Sequence, residues 1–177
     1  QQGVKNIMLT ICQAQVNDAE LLHDMAYASY THHFAHLWQN KDELANFLAQ
    51  EYALPVLQHS LQDEGCCWLI AASDGIPVGF AKFSWHAAAS PQGPSGTLLH
   101  KLYFLPQATG KGYGEGVIQE VTRRAREHGE RFLWLEVLDA NPQARRFYER
   151  QGFEHVRDTV FSTASQQSTL HILGKVI

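Results

Sequence analysis

An apolar strand that passes through a glycine-rich turn straight into an amphipathic helix limits what this chain can become. The stretch is Leu102-Tyr103-Phe104-Leu105-Pro106-Gln107-Ala108-Thr109-Gly110-Lys111-Gly112-Tyr113-Gly114-Glu115-Gly116. Backbone N–H groups of such a turn point the same way as the unpaired amides of the following helix, and with the helix dipole they favour a dense anion such as a diphosphate. Gly110, Gly112 and Gly114 let the backbone take positive φ and let a ligand approach closely. Two nucleotide motifs fail on spacing. A P-loop ends Gly-Lys-[Ser/Thr], but Lys111 is followed by Gly112; the dinucleotide fingerprint needs G-x-G-x-x-G in an early βαβ unit, and Gly110-x-Gly112-x-Gly114 is too tight and too late. A ligand-free, flexible strand-to-helix turn remains the competing reading.

A second segment narrows the choice. Residues 131–138 read as a buried strand, after which Asp139-Ala140-Asn141-Pro142 opens a short helix that stops at Gln151-Gly152. Asn141 suits the N-cap, Pro142 the first helical position and Gly152 the left-handed stop. Tyr148 follows Asn141 by seven residues, about two helical turns, and so lies near the same face.

The two segments, L-x-F-x-P-x-x-T-G-x-G-x-G from Leu102 to Gly114 and N-x-x-A-x-x-F-Y-x-x-x-G-F from Asn141 to Phe153, resemble those of the GNAT superfamily of acetyl-CoA-dependent N-acetyltransferases. The resemblance implies that the first segment binds the pyrophosphate of CoA, with Leu102, Tyr103, Phe104, Thr109, Gly110, Lys111, Gly112, Tyr113, Gly114 and Glu115 at the cofactor. It also implies that Asn141 contacts the cofactor and that Tyr148 gives a proton to the leaving thiolate. Asn141 as an N-cap alone, and Tyr148 as a core tyrosine packed by Phe147 and Phe153, are the plainer alternatives. Register follows from the buried stripe Val117, Ile118, Val121 and Ala125. It places the cradle at Thr109-x-x-Gly112-x-Gly114, with Thr109 where the superfamily usually has Gln or Arg. Backbone amides carry most of such binding, so this difference implies weaker retention of CoA rather than its loss.

Read in order, the chain offers a strand near residues 8–13, a helix capped by Asp18, a helix over 42–52 and a helical segment over 54–63. Strands follow at 66–73 and 76–86, joined at Asp74-Gly75, the strongest hairpin signal present. A loop spans 87–96, then come strand 97–105, helix 113–128, strand 131–138, the short helix, and strands near 154–162 and 168–176. The order β-αα-βββ-α-β-α-ββ is similar to the GNAT architecture, an α/β (α+β) fold with a mixed, mostly antiparallel sheet of about seven strands flanked by helices. One domain is expected over 1–177, since 177 residues at 45% hydrophobic content suffice for one sizeable core. Gln1 to Ile7 read as an expression remnant or disordered start ahead of a native Met8.

Formal charge is −4 with 18% charged residues, which offers no basic footprint for nucleic acid. Arg123, Arg124, Arg126, Arg131, Arg145, Arg146 and Arg150 cluster late, as a solvated helix face or an attraction for the CoA 3′-phosphate. Cys12, Cys66 and Cys67 form no Cys-x-x-Cys pair and read as reduced, buried thiols. With no membrane-length apolar run and no signal-peptide pattern, the expectation is a cytoplasmic protein without a membrane partner.

Direct acyl transfer needs a neutral amine and a proton for sulfur. His100, on the strand leading to the turn, is the candidate base where many superfamily members carry glutamate, an ordinary strand histidine being the alternative. His32, His33 and His36 crowd a helix end with Tyr30, Phe34 and Trp38. His33 occupies the position that HExxH reserves for glutamate, so no metal is expected and the segment is read as bordering the acceptor pocket. The two-helix N-terminal region and the segment after Phe153 are most similar to PaiA-type polyamine acetyltransferases, which implies spermidine or spermine as acceptor. The residues 162–168 carry no acid, however, leaving Asp24, Asp42, Glu43, Glu51 and Asp158 as sources of negative charge. A protein N-terminus or another small amine is the alternative acceptor, and a CoA-binding regulatory module without turnover the alternative class. The free edge of the final hairpin offers a surface for homodimer formation.

Overall fold

The described residues, 8–177 of the computed structural model, form a seven-stranded sheet between two helical layers. The expectation about residues 1–7 lies outside them. The elements are β1 (Leu9–Gln13), α1 (Ala19–Phe34), α2 (Lys41–Tyr52), α3 (Leu54–Leu61), β2 (Cys66–Ser73), β3 (Ile76–Ala88), β4 (Ser95–Phe104), α4 (Tyr113–Glu127), β5 (Phe132–Leu138), α5 (Pro142–Arg150), β6 (Glu154–Ser162) and β7 (Gln167–Val176). Sheet order is β1-β2-β3-β4-β5-β7-β6, with β4 and β5 parallel and all other neighbours antiparallel. The mixed α/β reading stands, with β6 as a free edge of the final hairpin.

Local chemistry explains the boundaries. Asp74 and Gly75, at φ 50° and 81°, turn β2 into β3 with the twist that two-residue hairpins prefer. Asn40 caps α2 by accepting the amides of Asp42 and Glu43 at 2.9 and 3.1 Å. Asp18 differs from the expectation. Its carboxylate accepts the amide of Gln15 at 2.8 Å and closes the preceding short turn, leaving α1 without a side-chain cap. The helical segment expected over 54–63 is a helix over 54–61 with Pro55 in its first turn, the third helix before β2.

Alternation along the strands divides the core. Trp68 and Phe80 face α1, α2 and α3 with Leu22, Tyr52 and Leu57, while Leu69, Phe83, Leu99, Leu133 and Leu135 face α4 and α5. Each side chain this deeply buried contributes about 1.5–3 kcal/mol of hydrophobic stabilisation. Cys67 is buried and Cys66 half-buried, but Cys12, expected to be buried, is exposed on the edge strand β1.

The long β3 and β4 reach Ala88 and Ser95, which shortens the expected loop at 87–96. At their far end Gly96 lies against β5, where an added Cβ would sit 2.0 Å from the carbonyl oxygen of Phe132. Gly96→Ala should cost about 3 kcal/mol, the upper range for overpacking against an unyielding neighbour, and lower Tm by roughly 6–12 °C. Calorimetric melting of the variant checks this.

Candidate active site

The parallel pairing of β4 and β5 is short. It runs through Thr97–Leu133, Leu98–Trp134 and Leu99–Leu135 and stops, after which the strands diverge. From His100 to Phe104, β4 is paired only on its β3 side, so a strand edge with unspent amides and carbonyls opens into the cleft. Leu102, Tyr103 and Phe104 belong to this edge, and His33 Nε2 from α1 already engages the Phe104 carbonyl at 3.1 Å. An extended ligand bearing amides can pair along it as an added strand does.

The edge leads into the glycine turn. Gly110 and Gly112 take φ 73° and 78°, and Gly112 is the N-cap of α4 with no side chain capping it. Among the described residues no loop carbonyl and no side chain accepts the amides of residues 110–115. Six successive donors at a helix N-terminus, with no acceptor among the described residues, fit a diphosphate. Gly114 serves packing: a Cβ there would meet Phe147 Cζ at 2.9 Å, so its absence lets α5 close on α4. Tyr113 is buried, its hydroxyl donating to Ser73 Oγ at 3.1 Å, while Lys111 and Glu115 are exposed. Thr109 turns its hydroxyl to the Pro106 carbonyl at 3.0 Å, away from the role that Gln or Arg would play at that position.

Asn141 is the N-cap of α5 and accepts the Ala144 amide at 3.3 Å through Oδ1, and its Nδ2 has no acceptor among the described residues. Two turns on, the half-buried Tyr148 packs between Phe147 and Phe153 at ring separations of 5.2 and 5.7 Å. Its hydroxyl has no hydrogen-bond partner among the described residues. Loss of hydration pushes the phenol far above its usual range, so it stays protonated. Both expectations for α5, cap and packed tyrosine, coexist with a free donor on each side chain.

On the opposite wall, a bulge in β4 against β3 makes His100 the extra residue, since Lys82 pairs with Lys101 and Phe83 with Leu99. The bulge turns His100 and Lys101 toward the same helical layer. A small cavity of about 90 Å³ is lined by Leu98, Leu99, His100 and Glu136. The exposed His100 ring meets Ser84 Oγ through Nε2 at 2.7 Å. Desolvation, then the charges of Lys82 and Lys101, push its pKa down to about 4, against a smaller pull from Glu51. A ring held at about 4 is neutral near pH 7 and a weaker base than an ordinary histidine. Glu136 was not singled out in the sequence, where it sits inside an apolar strand; a lone acid at an alternate position of Leu133-Trp134-Leu135-Glu136-Val137 was the available signal. Burial raises its carboxyl above the ordinary value, with Arg157 opposing.

Of the acids named as sources of negative charge, Asp24 and Asp42 are exposed and the other three are engaged. Glu51 binds the buried Lys101 at 2.5 Å, Glu43 binds the hydroxyls of Thr163 and Ser165, and Asp158 is held by two histidines. The Glu43 contacts, with Gln166 bonded to Gln39 and Leu37, fasten the β6–β7 tip over the α1–α2 connection. Trp38, Phe47 and Phe161 pack beneath it. His32, His33 and His36 form no metal-binding group among the described residues. A larger cleft of about 440 Å³ lies at the far end of α4, beside Arg124 and His128.

Residues 22–153 match the model of the "Acetyltransferase (GNAT) family". An uncharacterized N-acetyltransferase of Lactobacillus delbrueckii subsp. lactis is 23% identical over 137 residues, 77% of this chain and 79% of that protein. The PaiA N-acetyltransferase of Thermoplasma acidophilum, solved in complex with coenzyme A, shares the fold with a TM-score of 0.78 at 19% identity, over 97% of this chain and 100% of that one. The spermidine/spermine N-acetyltransferase SpeG of Vibrio cholerae, solved in mutant forms, gives a TM-score of 0.66 at 15% identity, over 96% and 95% of the two chains.

Proposed function

This chain belongs to the acetyltransferase (GNAT) family, and we propose that it carries the acetyl group of acetyl-CoA to the primary amine of a small molecule or a peptide N-terminus. The observation that carries this reading is the set of amides at residues 110–115 with no acceptor among the described residues, at the start of the helix on which α5, the helix of Tyr148, closes through Gly114 and Phe147. Acetyl-CoA supplies an activated acetyl thioester. The amides of Gly110 to Glu115 hold the diphosphate, Asn141 Nδ2 donates to the cofactor, and the free edge of β4 orients the pantetheine arm. Glu136 accepts a proton from the acceptor ammonium, directly or through a water in the cavity beside it. Tyr148, kept neutral by burial, donates its hydroxyl hydrogen to the sulfur as the C–S bond breaks. His100, neutral at physiological pH, orients that water with Ser84.

Likeness to SpeG and PaiA is the support for a polyamine acceptor, and at 15% and 19% identity it speaks for the fold. The charges favour the other acceptors. A polycation needs several free carboxylates, whereas Glu43 and Glu51 are engaged and Lys82 and Lys101 add positive charge beside His100. Thiol release from acetyl-CoA over a panel of spermidine, a small monoamine and a short peptide tests this. The expected result is faster turnover with the monoamine or peptide. Spermidine as the best substrate restores the polyamine reading, and CoA binding without turnover of any amine leaves only a CoA-binding module. His100→Ala should lower kcat less than about tenfold and leave the pH profile in place, as fits a group that orients rather than accepts the proton; steady-state rates across pH check it.

A further inference from the structure

Outside the cleft, β6 and β7 gather side chains that acyl transfer does not use. His155 Nε2 and His171 Nδ1 each lie 2.7 Å from one oxygen, Asp158 Oδ1, and the three atoms fall within 4.8 Å of one another. On the other side of its ring, His171 Nε2 lies 2.7 Å from Asp139 Oδ1. A backbone irregularity builds this convergence. Residues three apart on a regular strand point to opposite faces. The bulge between His155 and Arg157 inserts one residue, so His155 stands opposite Leu173 and Asp158 opposite His171, all on one face. The His171 side chain is 11% exposed and gripped from both sides, whereas those of His155 and Asp158 are 42% and 52% exposed. The cluster therefore has a fixed inner member and an outer side open to water.

We propose that His155 Nε2, Asp158 Oδ1 and His171 Nδ1 bind a divalent first-row transition ion, best matched by zinc, with Asp139 orienting His171 through its Nε2–H. Two imidazoles and one carboxylate form a donor set that zinc takes in four-coordinate sites with water in the remaining position. Magnesium and calcium prefer oxygen alone. Zinc–ligand bonds of about 2.0–2.2 Å in a tetrahedron place ligand atoms roughly 3.3 Å apart, so the ion requires the two contacts with Asp158 to open by about half an ångström and the two ring nitrogens, within 4.8 Å of each other, to settle at the same spacing. The ion replaces the protons now shared with Asp158. Asp139 supplies the second carboxylate that fixes a ligating histidine in the tautomer protonated away from the metal. Arg145 on α5 is the opposing cation near His171, and Glu149 partners it at 3.8 Å. Occupancy ties the β6–β7 hairpin to Asp139, the first residue of the connection to α5, and so to the helix of Asn141 and Tyr148.

Calorimetric titration of tag-free, chelator-stripped protein with zinc tests the site, together with the visible spectrum after cobalt(II) addition. The expected result is one zinc per chain, a cobalt band typical of four-coordination, and no saturable magnesium binding. His155→Ala and Asp158→Asn should abolish both signals, Asp139→Asn should weaken zinc about 10–100-fold, and His32→Ala with His36→Ala should change nothing. His155 lies on the exposed edge strand, and circular dichroism confirms that its variant is folded. Absence of saturable zinc binding, equal binding by folded His155→Ala, or equal affinity for magnesium overturns the proposal.

Discussion

Tyr148→Phe should reduce kcat by about 10²–10³-fold, within the range that loss of a positioned proton donor produces. CoA affinity should stay within about threefold of the parent. The hydroxyl has no partner among the described residues, so its removal deprives no buried group of a hydrogen bond, and the ring keeps its contacts with Phe147 and Phe153. Binding and chemistry are thus separable at this one atom. Single-turnover rates and calorimetry with CoA measure the two effects independently, and an unchanged kcat in folded Tyr148→Phe removes it from the chemistry.

The second large effect is expected at Glu136. Glu136→Gln keeps shape and one acceptor but cannot take a proton, so kcat should fall about 10²–10⁴-fold. Burial raises the carboxyl, and Arg157 opposes without cancelling. The base form is therefore lost as pH falls through a value above the ordinary ~4.3 of glutamate, which places the acid limb of the kcat profile above that value. In Glu136→Gln that limb should vanish along with most of the rate. A limb that persists in the variant assigns the proton to another group, and His100, pushed down to about 4, would titrate too low to account for it.

What the sequence made legible was local. Asp74-Gly75 announced its turn because positive φ has few residue solutions. The start of α4 was readable because Gly112 precedes a buried stripe of Val117, Ile118, Val121 and Ala125 in one helical register. Asn141, Pro142 and Gly152 marked α5 by capping chemistry. What escaped depends on pairing between distant strands. The extra residue at His100 exists only relative to β3, and it is what turns His100 toward the helical layer beside Lys82 and Lys101. Glu136 gains its meaning from the end of β4–β5 pairing one residue earlier, which no pattern within β5 records. His155 and Asp158 share a face only because of a bulge against β7, and they meet a histidine from another strand. The engagement of Glu43 by Thr163 and Ser165 likewise spans over a hundred residues, so the electrostatics of the acceptor side could not be summed from composition.

If the main-chain donors between Gly110 and Glu115 grip a diphosphate, calorimetry separates CoA from pantetheine, which lacks that group. The expected result is saturable 1:1 binding of CoA, weakened by salt, and binding of pantetheine at least about 100-fold weaker, since charge-assisted hydrogen bonds at a helix N-terminus supply most of the affinity. No heat with CoA on folded protein, or equal affinity for the two ligands, contradicts it.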